Sequence, residues 1–142
     1  MTRRFGPGEL VLAGAPTHTG EMTARARLFI ALALDAALVL AFVAIGRREH
    51  DEAEAASSLL TIAAPFWFGL VAGWAAAKVW RAPWAVPTGL LIWPATVVVG
   101  MLTRRWVFDD GTAPAFVIVT TLFLGACLVG WRVIARLTSA TT

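Results

Sequence analysis

The chain has 142 residues, of which 58% are hydrophobic and 15% charged, with a formal net charge of +3 and a mean hydropathy of +0.73. Soluble domains run nearer about 45–50% apolar and about 25% charged, so the composition excludes an ordinary soluble domain and points to a membrane protein. The basic residues stand at the ends of apolar runs, where they orient helices, and this argues against nucleic acid as a partner.

Residues 1–24 are rich in Gly, Pro and Thr and show no helical or alternating period; they read as a flexible cytoplasmic tail. They lack the apolar stretch and small-residue cleavage site of a signal peptide, so the first apolar run is expected to direct insertion. Arg25 and Arg27 mark the entry into that run, residues 28–46, LFIALALDAALVLAFVAIG. As a helix rising about 1.5 Å per residue it reaches about 28 Å, the thickness of a bilayer's hydrocarbon core. One carboxylate, Asp35, lies inside it. Such a group at the centre of a spanning helix costs about 2.5–3.5 kcal/mol on insertion scales, so the sequence predicts a partner for it.

A polar loop, RREHDEAEAASS, occupies residues 47–58, and a second span follows at 59–80 with Pro65, Gly69, Gly73 and Lys78. Glycines four apart let a neighbouring backbone approach closely; packing inside the bundle is the first reading and dimerisation the second. Residues 81–83 form a hairpin so short that the second and third spans must be antiparallel neighbours. The third span, 84–103, carries no charge; Pro87 suits a first helical turn, and Pro94 predicts a bend. A second loop covers residues 104–114, the fourth span covers 115–136, and residues 137–142 read as a C-terminal tail. The membrane domain thus extends over 25–136. Cys127 is the sole cysteine, which excludes an intrachain disulfide and reads as a small core residue.

Four crossings place both termini on one side. That side holds Arg3, Arg4, Arg25, Arg27, Lys78, Arg81, Arg132 and Arg136, against Arg47, Arg48, Arg104 and Arg105 opposite. The positive-inside rule then puts both termini in the cytoplasm. Shifting the first half by 57 positions superposes Arg47-Arg48 on Arg104-Arg105, Phe66 on Phe123 and Gly73-Trp74 on Gly130-Trp131. The matches read as a parallel two-hairpin pseudo-repeat, with chance matching of apolar residues as the alternative.

Asp35 is the first candidate for chemistry. Intramembrane acids serve as proton relays or cation-coupling sites, or as packing residues held by a neighbouring helix. Depth selects its partners: Asp35 lies about 12 Å beyond Arg27, level with Gly73, Trp93 and Leu128. Arg132, one turn nearer the cytoplasm, is the expected ionic partner, Lys78 a poorer one, and Trp93 and Thr96 are expected donors from the third span. A second cluster, Arg47, Arg48, His50, Arg104 and Arg105, stands at the outer end. It reads as solvated headgroup anchors or as an anion site of paired guanidinium groups. With two histidines in the chain, on opposite sides, no metal site is expected, and no cofactor motif is present.

The order of a helix-1 Asp, GRREHD, TIAAPFWFG, WPATVVVGMLTR and a terminal GWR resembles the small four-helix prokaryotic membrane proteins grouped as domain of unknown function 3054, over about residues 25–136. That resemblance implies emphasis on Asp35, Gly46, Arg47, His50, Pro65, Phe66, Trp93, Thr96, Gly100, Arg104, Gly130, Trp131 and Arg132, and no activity, cofactor or partner. The reading is an all-α, four-helix transmembrane bundle, multi-pass in the plasma membrane. It is expected to be a non-enzymatic transport or ion-coupling unit, or an accessory subunit, whose partners are the lipid bilayer and either a second copy or a larger membrane complex. The alternative is an enzyme acting on a lipid or isoprenoid headgroup at the outer Arg/His cluster.

Overall fold

The computed structural model describes residues 22–46, 55–107 and 113–140. They form four helices: α1 (Ala24–Gly46), α2 (Ala55–Ala77), α3 (Val86–Trp106) and α4 (Pro114–Ser139). All four are long and apolar enough to cross a membrane. Each packs beside its sequence neighbours and α4 closes the square against α1, while the backbones of the diagonal pairs α1/α3 and α2/α4 stay apart. The start of α1 meets the α2–α3 turn through Trp84, whose indole donates to the Arg27 carbonyl at 3.0 Å. At the far end Arg104 of α3 lies 4.9 Å from the ring of Phe116 in the first turn of α4. Neighbours are therefore antiparallel, and the start of α1 shares an end with the close of α4.

Local chemistry moves the helix ends from their expected positions. Thr23 caps α1, its Oγ1 accepting the Ala26 N–H at 3.2 Å, so the helix begins at Ala24 ahead of the apolar run. The second helix stops at Ala77 rather than at residue 80. Lys78 adopts φ 48°, and the N–H groups of Lys78 and Val79 return to the carbonyls of Ala75 and Trp74. That is a left-handed C-terminal cap, closed by the buried Val79. Helix α3 opens at Val86 and α4 at Pro114, each with a proline in its first turn. Helix α4 runs on to Ser139, into the segment expected to be a tail. Pro65 and Pro94 sit inside helices that continue through them. Of the expected N-terminal tail only residues 22–24 fall within the described residues.

The closest seam joins α2 to α3. A Cβ at Gly69 would lie 2.5 Å from the Thr96 carbonyl oxygen, and one at Gly73 3.0 Å from that of Ile92. In the reverse direction Gly100 leaves room for the Phe66 ring, which a Cβ would meet at 2.7 Å. The glycine pair read from sequence thus packs inside the chain. The centre is aliphatic, with Val39, Leu70, Ile92, Leu124 and Leu128 buried. Beyond it, Phe42 gathers Phe66 at 5.6 Å, Phe123 at 5.5 Å and Phe116 at 6.2 Å. Phe66 and Phe123, matched by the 57-residue shift, thus flank one ring. The halves are not equivalent throughout: Gly73 rests on α3, whereas Gly130 faces open space.

Candidate functional site

The inward stripe of α1 runs Ala31, Asp35, Val39, Val43, and that of α4 runs Thr120, Leu124, Leu128, Arg132. Four-residue spacing keeps each set on one helix face, so the periodicity that buries the leucines also buries both charges. Asp35 and Arg132 each expose 0% of their surface. They pair fork to fork: Nη1 donates to Oδ1 at 2.8 Å and Nη2 to Oδ2 at 2.8 Å. Bidentate geometry of this kind is the strong form of the interaction.

Two indoles complete the carboxylate. Trp74 on α2 donates to Oδ2 at 3.1 Å, and Trp131 on α4 donates to Oδ1 at 2.9 Å. Each oxygen therefore accepts two hydrogen bonds. The guanidinium is as well provided for: Nη1 also donates to the Leu128 carbonyl at 2.7 Å and Nε to the Pro83 carbonyl at 3.0 Å. Its carbon lies 4.4 Å from the Trp131 ring centroid, a cation–π distance. Gly89 on α3 makes room for the side chain, since a Cβ there would meet Arg132 Cδ at 2.9 Å. Taking two charges out of water costs several kcal/mol per ion, and only a geometry that satisfies both groups offsets it. This one joins α1, α2, α4 and the α2–α3 turn at a single point.

Two expected donors are corrected. Trp93 donates to the Thr121 carbonyl at 2.8 Å, over a surface that Gly125 leaves open. Thr96 donates to the Ile92 carbonyl of its own helix at 2.8 Å. Depth along the bundle placed both residues near Asp35, but α3 stands diagonally across from α1 and its backbone does not approach it. The helices flanking α1 are α2 and α4, and their tryptophans take the two positions. Lys78, the poorer ionic candidate, is exposed in the turn.

Of the outer cluster, Arg47, Arg48 and His50 lie outside the described residues. Arg104 is half-buried and Arg105 exposed. Arg104 forms part of the wall of a cavity of about 250 Å³ with Phe42, Val43, Ile62 and Phe116. Among the described residues no group of three or more His, Cys, Asp or Glu side chains could hold a metal ion. The roles of Trp74, Gly89 and Pro83 were not legible in advance. For the tryptophans a signal existed, because the 57-residue shift had already matched Trp74 to Trp131.

Residues 32–135 match the family described as protein of unknown function (DUF3054), and the chain belongs to it. The matched segment contains the ion pair, both indole donors and the α2–α3 turn. No curated protein and no solved structure matches the chain.

Proposed function

We propose that the chain is a non-enzymatic multi-pass protein of the plasma membrane. In this reading it acts as an accessory subunit of a larger membrane complex, with Asp35–Arg132 as an internal clamp and both termini cytoplasmic. The observation that carries it is the saturated carboxylate. A transport or ion-coupling site needs an acid that water or an ion can reach, whereas Asp35 has two partners on each oxygen and no exposed surface. The topology rests on the eight basic residues of one side against four on the other.

The test is reconstitution of the full chain into liposomes under a pH or cation gradient. The expected result is no flux from the wild type and a lowered melting temperature for Asp35→Asn. Flux that Asp35→Asn abolishes without loss of stability would establish ion coupling instead. The accessory role predicts a stoichiometric partner after purification in mild detergent, and a self-sufficient monomer would count against it. A reporter fused after Thr142 is expected to work only as a cytoplasmic one, and a thiol label at position 56 to react from outside.

The second reading, an enzyme acting on a lipid or isoprenoid headgroup, has the Arg104 cavity in its favour. Among the described residues that wall offers one guanidinium among apolar side chains and no general acid or base.

A further inference from the structure

At the end of the bundle that carries the α2–α3 turn, two cavities lie side by side. One, of about 360 Å³, is lined by Arg27, Trp84, Val86, Pro87, Arg136 and Ser139. The other, of about 300 Å³, is lined by Arg27, Trp80, Arg81, Pro83 and Trp84. Arg27 and Trp84 belong to both and form the partition. Trp84 is held in place: its indole donates to the Arg27 carbonyl at 3.0 Å, and its ring meets Trp131 edge-on at 5.9 Å. The Arg27 guanidinium carbon in turn stands 5.7 Å from the Trp84 ring.

Three arginines, Arg27, Arg81 and Arg136, therefore line these cavities, and among the described residues no carboxylate lines either of them. Asp35 is the only acidic residue among the described ones, and it is engaged by Arg132 inside the bundle. A guanidinium presents a planar fork that matches phosphate oxygens bidentately, and tryptophan is the aromatic residue of the headgroup level. The start of α3, which has no side-chain cap, adds a partial positive charge at the wall of the larger cavity.

We propose that these cavities form a binding site for a phosphate-bearing anion, held by Arg27 and Arg136 in the larger cavity and Arg81 in the smaller, with Trp84 as the wall between. The phosphate comes either from an anionic lipid headgroup or from free phosphate in solution. The site is independent of the accessory reading, because it rests on the turn end of the bundle and not on the environment of Asp35.

The test is equilibrium binding to the full chain in non-ionic detergent at fixed ionic strength. The probes are fluorescent-chain phosphatidylglycerol, the same chain on phosphatidylcholine, and inorganic phosphate. Arg27→Gln/Arg136→Gln is compared with Lys78→Gln/Arg25→Gln, which removes the same charge at the same end from residues that line neither cavity. A hydrogen bond from a guanidinium to a phosphate oxygen is worth roughly ten-fold in affinity, so the first variant is expected to lose about 100-fold and the second, whose residues line neither cavity, to stay within about two-fold. Preference for phosphatidylglycerol identifies the lipid headgroup, and binding of phosphate without lipid preference identifies the free anion. Binding of neither probe, or equal losses in the two double variants, overturns the site. Melting curves establish that each variant is folded; if the first double variant is not, Arg136→Gln alone decides, with an expected loss of about ten-fold.

Discussion

Trp74 and Trp131, 57 positions apart in sequence, donate to opposite oxygens of the same Asp35 carboxylate, at 3.1 and 2.9 Å. They approach from the two helices that flank α1, so the carboxylate is gripped from both sides while Arg132 closes its front. The buried acid thereby ties its own helix to two others, and its removal affects all three.

Removing either member of the pair strands the other in a low dielectric, which typically costs about 3–5 kcal/mol. Asp35→Ala and Arg132→Met are each expected to lower the melting temperature in detergent sharply, and Asp35→Leu with Arg132→Met to recover most of the loss. Recovery stays incomplete by at least about 1 kcal/mol, the worth of a typical hydrogen bond, because the Pro83 carbonyl loses its donor and the Trp74 and Trp131 indoles lose their acceptor. Strictly additive losses in the double variant would show that the two side chains do not act as a pair.

Phe in place of either tryptophan keeps the ring and deletes one hydrogen bond to a charged acceptor, worth about 1.5–3 kcal/mol. Trp131→Phe is expected to be the more damaging, since that ring also lies over the guanidinium. Chemical denaturation in mixed micelles, run on each variant with and without Asp35→Leu, isolates the effect: the indole contribution vanishes once the carboxylate is gone. If it persists, the indoles stabilise the bundle by packing alone.

Gly69 and Gly130 should respond oppositely to alanine. A Cβ at Gly69 collides with the Thr96 backbone, whereas one at Gly130 meets nothing. Gly69→Ala is expected to destabilise by about 1–3 kcal/mol through overpacking, and Gly130→Ala to stabilise by up to about 1 kcal/mol through helix propensity. Thermal melts of the two variants decide this. Loss at Gly130 comparable to that at Gly69 would mean that a second chain covers the Gly130 face.

Thr120 is fully buried, and its hydroxyl has no hydrogen-bond partner among the described residues. An unsatisfied buried hydroxyl costs about 1–3 kcal/mol, so Thr120→Val, close to it in shape, is expected to raise stability. A fall in melting temperature would reveal a polar partner for that hydroxyl.

The four spans and the buried charges were legible in the sequence because both depend on length and period alone. Eighteen apolar residues around Asp35, and Arg132 in register with Leu128 and Leu124, suffice to put two charges on inward faces. Which neighbours complete the site depends on the order of helices around the square, and depth carries no information about that order. Trp93 lies at a suitable level but on the diagonal helix; Trp74 sits on an adjacent one. The Gly89 pocket arises where α3 packs on α4 and the Pro83 acceptor where the turn meets α4, and no periodicity encodes either. The cap at Lys78 was hidden for a related reason, since lysine in a left-handed conformation carries no compositional mark of the kind glycine does.

The pair also sets a timetable for biosynthesis. Asp35 and Arg132 are 97 residues apart, and at about 5–20 residues per second the ribosome needs about 5–20 s to get from one to the other. Throughout that interval α1 exists without the cation it pairs with in the finished bundle, where the helices made before α4 bring only the Trp74 indole to the carboxylate. The last helix is therefore the one that neutralises the first, and a chain released before Arg132 emerges carries an unmatched acid. Any membrane quality-control protease that recognises exposed polar groups in lipid would distinguish the unfinished chain from the finished one by that single carboxylate.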